Sequence, residues 1–169
     1  MSLVIRRATA DDIDGMYRLS CDVHQTAYVH LIPADQRNRF LKAFTYLSGS
    51  RERRIARYRQ DIDDPRGYAW VAEYNGSLVG FARGCWQDEQ TIQGHGLFVD
   101  PPHQGRGIGE ALFQRVLAQT KKGDTVRLLV IENNERAKSL YRKHGFETNG
   151  LADEAFYGAK MIIMTKHIG

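Results

Sequence analysis

Apolar and polar positions alternate along this chain in two rhythms, one of period two and one near 3.6. Leu3 to Arg7 reads as a first strand. Thr9 followed by Asp12 is an acidic variant of the capping box, and Ile13, Met16, Tyr17, Ser20 and Val23 then form the stripe of a helix. Phe40, Leu41, Phe44 and Leu47 give a second helical stripe, which Ser48-Gly49-Ser50 breaks. Arg51 to Asp61 is helical again, with Ile55, Tyr58 and Ile62 on one side and a solvated row of arginines on the other. After a turn at Asp63 to Gly67, Tyr68 to Tyr74 and Leu78 to Trp86 read as strands joined by Asn75-Gly76, a hairpin dipeptide. Thr91 to Val99 is the next strand. Ile108, Ala111, Leu112 and Val116 then return to helical spacing as far as Lys121-Lys122-Gly123.

Val126 to Ile131 is a continuous apolar run, as expected of a strand covered on both faces. Asn134 to His144 is a helix carrying Ala137, Leu140, Tyr141 and His144 on one stripe, and Gly145 stops it. Phe146 to Thr148 and Tyr157 to Lys166 read as the last two strands. The order is β-α-α-ββ-β-α-β-α-β-β, which predicts an α/β chain of mixed α+β character: one sheet covered by helices. With 169 residues, 42% hydrophobic and 26% charged, residues 1–169 suit a single domain with a real core.

A formal charge of +4 favours an anionic ligand but is too small and scattered to argue for nucleic acid. Cys21 and Cys85 match no metal spacing and read as reduced thiols of an intracellular protein. The N-terminus lacks a signal-peptide apolar run, and no stretch is long enough to span a membrane. A cytoplasmic protein with no membrane, nucleic-acid or metal partner is expected.

The chemistry concentrates where Leu97-Phe98-Val99-Asp100-Pro101-Pro102 runs into Gln104-Gly105-Arg106-Gly107-Ile108-Gly109. Alternating glycines let successive backbone N–H groups converge, and the following helix adds free N–H groups and its positive dipole end. Such a loop binds phosphate or pyrophosphate. It is not a Walker loop, because no Gly-Lys-Ser or Gly-Lys-Thr occurs. It is not the dinucleotide fingerprint either, since Glu110 stands where the third glycine belongs. The pattern that fits is Q-x-x-G-x-G after a strand ending in Val-Asp-Pro. A second pattern follows, Asn134-Glu135-Arg136-Ala137-Lys138-Ser139-Leu140-Tyr141-Arg142-Lys143-His144-Gly145-Phe146, or N-x-x-A-x-x-L-Y-x-x-x-G-F. Taken alone, its Asn134 is a helix cap and its Ala137, Leu140 and Tyr141 are core. Together, in this order and spacing, the two motifs resemble those of the GCN5-related N-acetyltransferases. The likeness in element order extends over nearly the whole chain, and the detailed match is confined to residues 97–112 and 130–146.

The resemblance implies the acyl-CoA N-acyltransferase fold, a central, mostly antiparallel sheet flanked by helices. It implies acetyl transfer from acetyl-CoA to a primary amine by direct attack in a ternary complex, without a metal. Leu97, Phe98, Val99, Gln104, Gly105, Arg106, Gly107, Ile108 and Gly109 would hold the cofactor, joined by Asn134, Ala137 and Tyr141. Tyr141 would protonate the leaving thiolate, and the Val99 N–H would donate to the oxyanion. The family commonly draws its base from the strand before the loop. Strand alternation puts Gln93, His95, Leu97 and Val99 on one side, and of these His95 can act as a base; an imidazole titrates near ~6.5. Glu73 is the reserve candidate, and bulk water remains open. By resemblance the acceptor site lies near His24 to Leu31 and Asp153 to Tyr157, where Tyr28, His30 and Tyr157 are candidates. The acceptor itself, a small molecule or a peptide amine, is not written in the sequence, and a homodimer is left open. Two other readings stand: a non-catalytic acyl-CoA-binding module, and a nucleotide-phosphate site that the absent Walker lysine disfavours.

Overall fold

The computed structural model describes residues 2–169. Seven strands form one sheet: β1 (Leu3–Arg7), β2 (Gly67–Tyr74), β3 (Ser77–Trp86), β4 (Thr91–Val99), β5 (Thr125–Ile131), β6 (Glu147–Leu151) and β7 (Met161–His167), in the order β1-β2-β3-β4-β5-β7-β6. Every neighbouring pair is antiparallel except β4 and β5, which run parallel. Among the described residues there are five α-helices, α1 (Ile13–Thr26), α2 (Arg37–Ala43), α3 (Arg51–Asp63), α4 (Ile108–Leu117) and α5 (Glu135–Lys143), besides short 3-10 turns.

Local sequence explains the boundaries. The Thr9 backbone N–H donates to Asp12 at 2.7 Å, so the capping box sets the chain into a short 3-10 turn and then α1. Asn75 and Gly76 both take positive φ, 51° and 82°, which is the turn that matches the twist of the β2–β3 hairpin. α4 and α5 cover one sheet face over Tyr68, Ala72, Ala82, Ile92, Val126, Leu128, Val130 and Met164. α1 and α3 cover the opposite face over Ala69, Val71, Phe81 and Phe98. A third cluster, around Val29, Ile32, Phe40, Phe44 and Ile131, closes the end of the sheet beside β5.

Three departures from the sequence reading bear on function. The Phe40 stripe supports only the short α2, which ends before Phe44 and Leu47, and all three helical stretches between β1 and β2 form, one more than the abbreviated order β-α-α-ββ counts. The last strand starts at Met161 rather than Tyr157, since Tyr157 (φ 49°) and Gly158 (φ 78°) turn the chain there. Finally, β5 is covered along one face, where Val126, Leu128 and Val130 are buried, whereas on the other Ile131 is buried but Leu129 is 45% exposed. Residues Arg127 to Ile131 of β5 form a cavity wall.

Candidate active site

The two parallel strands meet for only three residues. Thr91, Ile92 and Gln93 pair with Thr125, Val126 and Arg127, and beyond them β5 pairs with β7 alone. A cavity of about 860 Å³ opens in the resulting wedge. The wedge leaves part of β4 unpaired in a definite way. The Asp100 N–H bonds the Val79 carbonyl, so the Val79–Asp100 pair exchanges hydrogen bonds with β3 and the adjacent Gly80–Val99 pair does not. By the same alternation Phe98 bonds β3, while the Leu97 and Val99 backbone groups face the gap. Of the three candidates on this strand, Leu97 and Val99 offer backbone to a ligand and Phe98 does not. The Phe98 ring instead packs among the α1–α3 core.

At the end of β4 the glycine loop forms a cradle of backbone N–H groups. Gly105 and Gly107 sit at φ 76° and 77°, a left-handed conformation that a side chain would strain. Among the described residues, no protein acceptor faces the backbone N–H groups from Gly105 to Glu110; the first bond into the loop is Ala111 N–H to the Gly107 carbonyl, 2.9 Å. Such unpaired donors at a helix start suit a pyrophosphate. Gln104 instead braces the loop. Its amide donates to the Val99 carbonyl at 2.9 Å and accepts from Arg136, tying the loop to β4 and α5. Ile108 is fully buried, so only its N–H is available. Arg106 is exposed, 5.7 Å from the Tyr74 ring, and has no ion-pair partner among the described residues.

α5 supplies the opposite wall. Asn134 caps it by accepting from the Ala137 N–H at 3.2 Å, its amide NH₂ bonds no group among the described residues, and Asn134, Ala137 and Tyr141 all line the cavity. Tyr141 packs against Phe113 and Phe146. Burial, and secondarily the nearby Tyr28 phenol, raise its pKa well above the usual phenol range. Tyr68 also lines the cavity and is raised by burial, and Tyr28 is pushed up to about 12 by burial. Three protonated phenols therefore share this chamber.

His95 is present, but not on the predicted side. In the β3–β4 register Gly84 pairs with Gly94 and Arg83 with Gly96, so His95 is the extra residue of a β-bulge. The bulge reverses the alternation. Gln93 and His95 point to the α3 side, whereas Leu97 and Val99 pack toward α4 and α5. There His95 Nδ1 donates to Asp61 Oδ2 at 3.1 Å, and Asp61 is only 4% exposed. Arg83 donates to the same carboxylate oxygen at 2.5 Å. Sequence reasoning missed Asp61. The available signal was a carboxylate on the Tyr58–Ile62 stripe of α3, a position otherwise apolar.

Two other titratable side chains are held by protein partners. Glu73 is held by Arg6 at 2.5 Å at the β1–β2 edge, outside the cavity. His24 lines the cavity, yet burial pushes its pKa down to about 3, and its Nδ1 is engaged by the Ser20 carbonyl at 2.6 Å. Of the acceptor-site candidates Tyr28 lines the cavity, His30 is exposed outside it, and Tyr157 packs on Phe40 and Phe44. Asp61, Cys85 and His95 could together offer metal ligands, their donor atoms lying within 4.8 Å of one another. The Arg83 guanidinium on Asp61 opposes a cation there.

A glycine cradle and an α5 wall are the features the two motifs lead one to expect, and the wedge between β4 and β5 is an addition the structure makes. The family model of the GNAT acetyltransferases matches residues 34–146. The chain belongs to the GNAT acetyltransferase family. Within it, the chain is 35% identical over 100 residues to an N-alpha-acetyltransferase of Mycobacterium tuberculosis, covering 57% of this chain and 62% of that one. It is 33% identical over 100 residues to a spermine/spermidine N(1)-acetyltransferase of Bacillus subtilis, covering 53% and 64%. The chain thus spans less than two thirds of these relatives' length. In fold it is similar to the PaiA N-acetyltransferase of Thermoplasma acidophilum solved with coenzyme A, with a TM-score of 0.75 at 18% identity over 99% of this chain and 100% of that one. The acyl-CoA N-acyltransferase fold follows from this GNAT likeness. Among the described residues no helix is long and apolar enough to cross a membrane.

Proposed function

We propose that residues 1–169 form one acetyltransferase domain that moves the acetyl group of acetyl-CoA onto a primary amine by direct attack in a ternary complex. The observation that carries the reading is the meeting, in one cavity, of unpaired β4 backbone, an α5 phenol and an Asp61-oriented imidazole. Acetyl-CoA would supply an already activated thioester. The N–H groups of Gly105 to Glu110 would take its pyrophosphate, and Leu97, Val99, Asn134 and Ala137 would line its arm. His95 Nε2 takes a proton from the amine, the Val99 N–H donates to the developing oxyanion, and Tyr141 donates to the departing sulfur.

The acceptor end of the cavity is lined by Arg57, Arg66, Arg83 and Arg127 against Asp61 and Asp64. A cationic surplus lowers the pKa of a bound ammonium, which helps deprotonation, but it opposes a second positive charge on the acceptor. Amines that also carry an anion should therefore be better acceptors than polyamines. Calorimetry with CoA, then turnover of acetyl-CoA with polyamines, amino acids, aminoglycosides and N-terminal peptides, tests both levels. CoA binding with no acetylation of any acceptor would leave the non-catalytic binding module instead.

Gly109 offers a sharper check of the cradle. It is helical, and a Cβ there would meet only Val99 Cγ2 at 3.6 Å, an ordinary contact. Gly109→Ala should leave the melting temperature unchanged or raised, since alanine is favoured in a helix by up to ~1 kcal/mol. CoA affinity should nevertheless drop on the order of 10-fold as the methyl obstructs the phosphate, an effect of ~1.4 kcal/mol. Unaltered affinity would remove Gly109 from the cradle.

A further inference from the structure

The lone-pair nitrogen of His95 faces a thiol. With Nδ1 donating to Asp61, Nε2 is the unprotonated nitrogen, and it lies 3.8 Å from Cys85 Sγ. Cys85 stands on β3 opposite Gln93, lines the cavity, and is partly accessible, unlike the buried Cys21. A carboxylate, an imidazole and a thiol, brought together from α3, β4 and β3, hold the serial arrangement that activates a nucleophile. The side-chain amide of Gln87 donates to the same sulfur at 3.2 Å, a contact that favours the thiolate. Burial, and secondarily the Asp61 and Asp64 carboxylates, raise the thiol's pKa, so it needs the imidazole as a base.

We propose that Cys85 is a self-acylation site: when no amine occupies the cavity, it takes the acetyl group of acetyl-CoA. His95 Nε2 accepts the thiol proton and the Cys85 sulfur bonds to the thioester carbonyl carbon. The bond from that carbon to the CoA sulfur breaks, and the imidazolium returns the proton to give CoA thiol. One thioester replaces another, so no oxidant or reductant is needed. An acceptor amine competes for the same imidazole, so its presence suppresses the adduct. This inference rests on the acetyl-CoA reading above.

Two measurements test it. In the free protein, Cys85 should be alkylated by iodoacetamide at neutral pH while Cys21 is spared, and His95→Ala should slow that alkylation on the order of 10-fold. With acetyl-CoA and no amine, intact-protein mass spectrometry should show one added acetyl unit, mapped to Cys85, released by neutral hydroxylamine and absent in Cys85→Ser. Calorimetric CoA binding without such an adduct overturns the self-acylation and leaves the acetyltransferase reading intact. Absence of CoA binding overturns both, and alkylation indifferent to His95 removes the thiol–imidazole pair.

Discussion

Replacing His95 by alanine should slow acetyl transfer to the amine by ~10²–10³-fold while CoA binds with nearly wild-type affinity. Of the imidazoles and carboxylates weighed as base, His95 is the one whose second nitrogen faces the cavity, beside Cys85, since His24 is depressed to about 3 and Glu73 is tied to Arg6. Asp61 fixes which nitrogen carries the proton. Asp61→Asn should therefore lower the rate as well, by disturbing the tautomer rather than deleting the base. That substitution also strips Arg83 of its carboxylate in a site where the Arg83 side chain is 12% and the Asp61 side chain 5% exposed, so a fall in stability of ~3–5 kcal/mol should accompany it. His95→Ala leaves that ion pair in place, and its melt should change far less. Transfer at the wild-type rate in His95→Ala would pass the role of base to water.

The contrast between these two residues shows what the sequence could convey. Period-two and period-3.6 patterns are local, so the hairpin at Asn75-Gly76 and all seven strands were legible, with Thr91–Val99 placed to the residue. The glycine loop was legible because its backbone requirement is written into residue types. The bulge at His95 was not. A single unpaired residue leaves no compositional mark, yet it moves His95 to the opposite sheet face from Leu97 and Val99. Asp61 was hidden because its partners Arg83 and His95 lie far along the chain, and the arginines around it made α3 resemble a solvated helix. The continuous run Val126–Ile131 carries no sign that β4 splays from β5, so Leu129 looked like core when it lines the cavity. Glu73 had the right chemistry for a base, and only the fold places it beside Arg6 instead.

Tyr141→Phe should lower turnover by ~10²-fold with little change in stability or CoA affinity. The ring supports the α4–α5 core through Phe113 and Phe146, and phenylalanine keeps those contacts. No protein group among the described residues bonds the hydroxyl, so removing it leaves no orphaned partner. A core-only tyrosine predicts neither a rate effect nor a melting shift, which isolates the chemical role. Burial keeps the phenol protonated across the neutral range, so it is always loaded as a donor, though a weak acid. A thiolate with a conjugate-acid pKa of roughly 8.5, by analogy with cysteine, leaves well without help, which places the effect at the lower end of general-acid catalysis. Tyr28 and Tyr68 border the same cavity and could each donate in its place. A Tyr141→Phe enzyme with wild-type turnover, under conditions where chemistry rather than CoA release is limiting, would assign the proton to one of them. Tyr68→Phe and Tyr28→Phe would then identify which, because only the donor should lose rate.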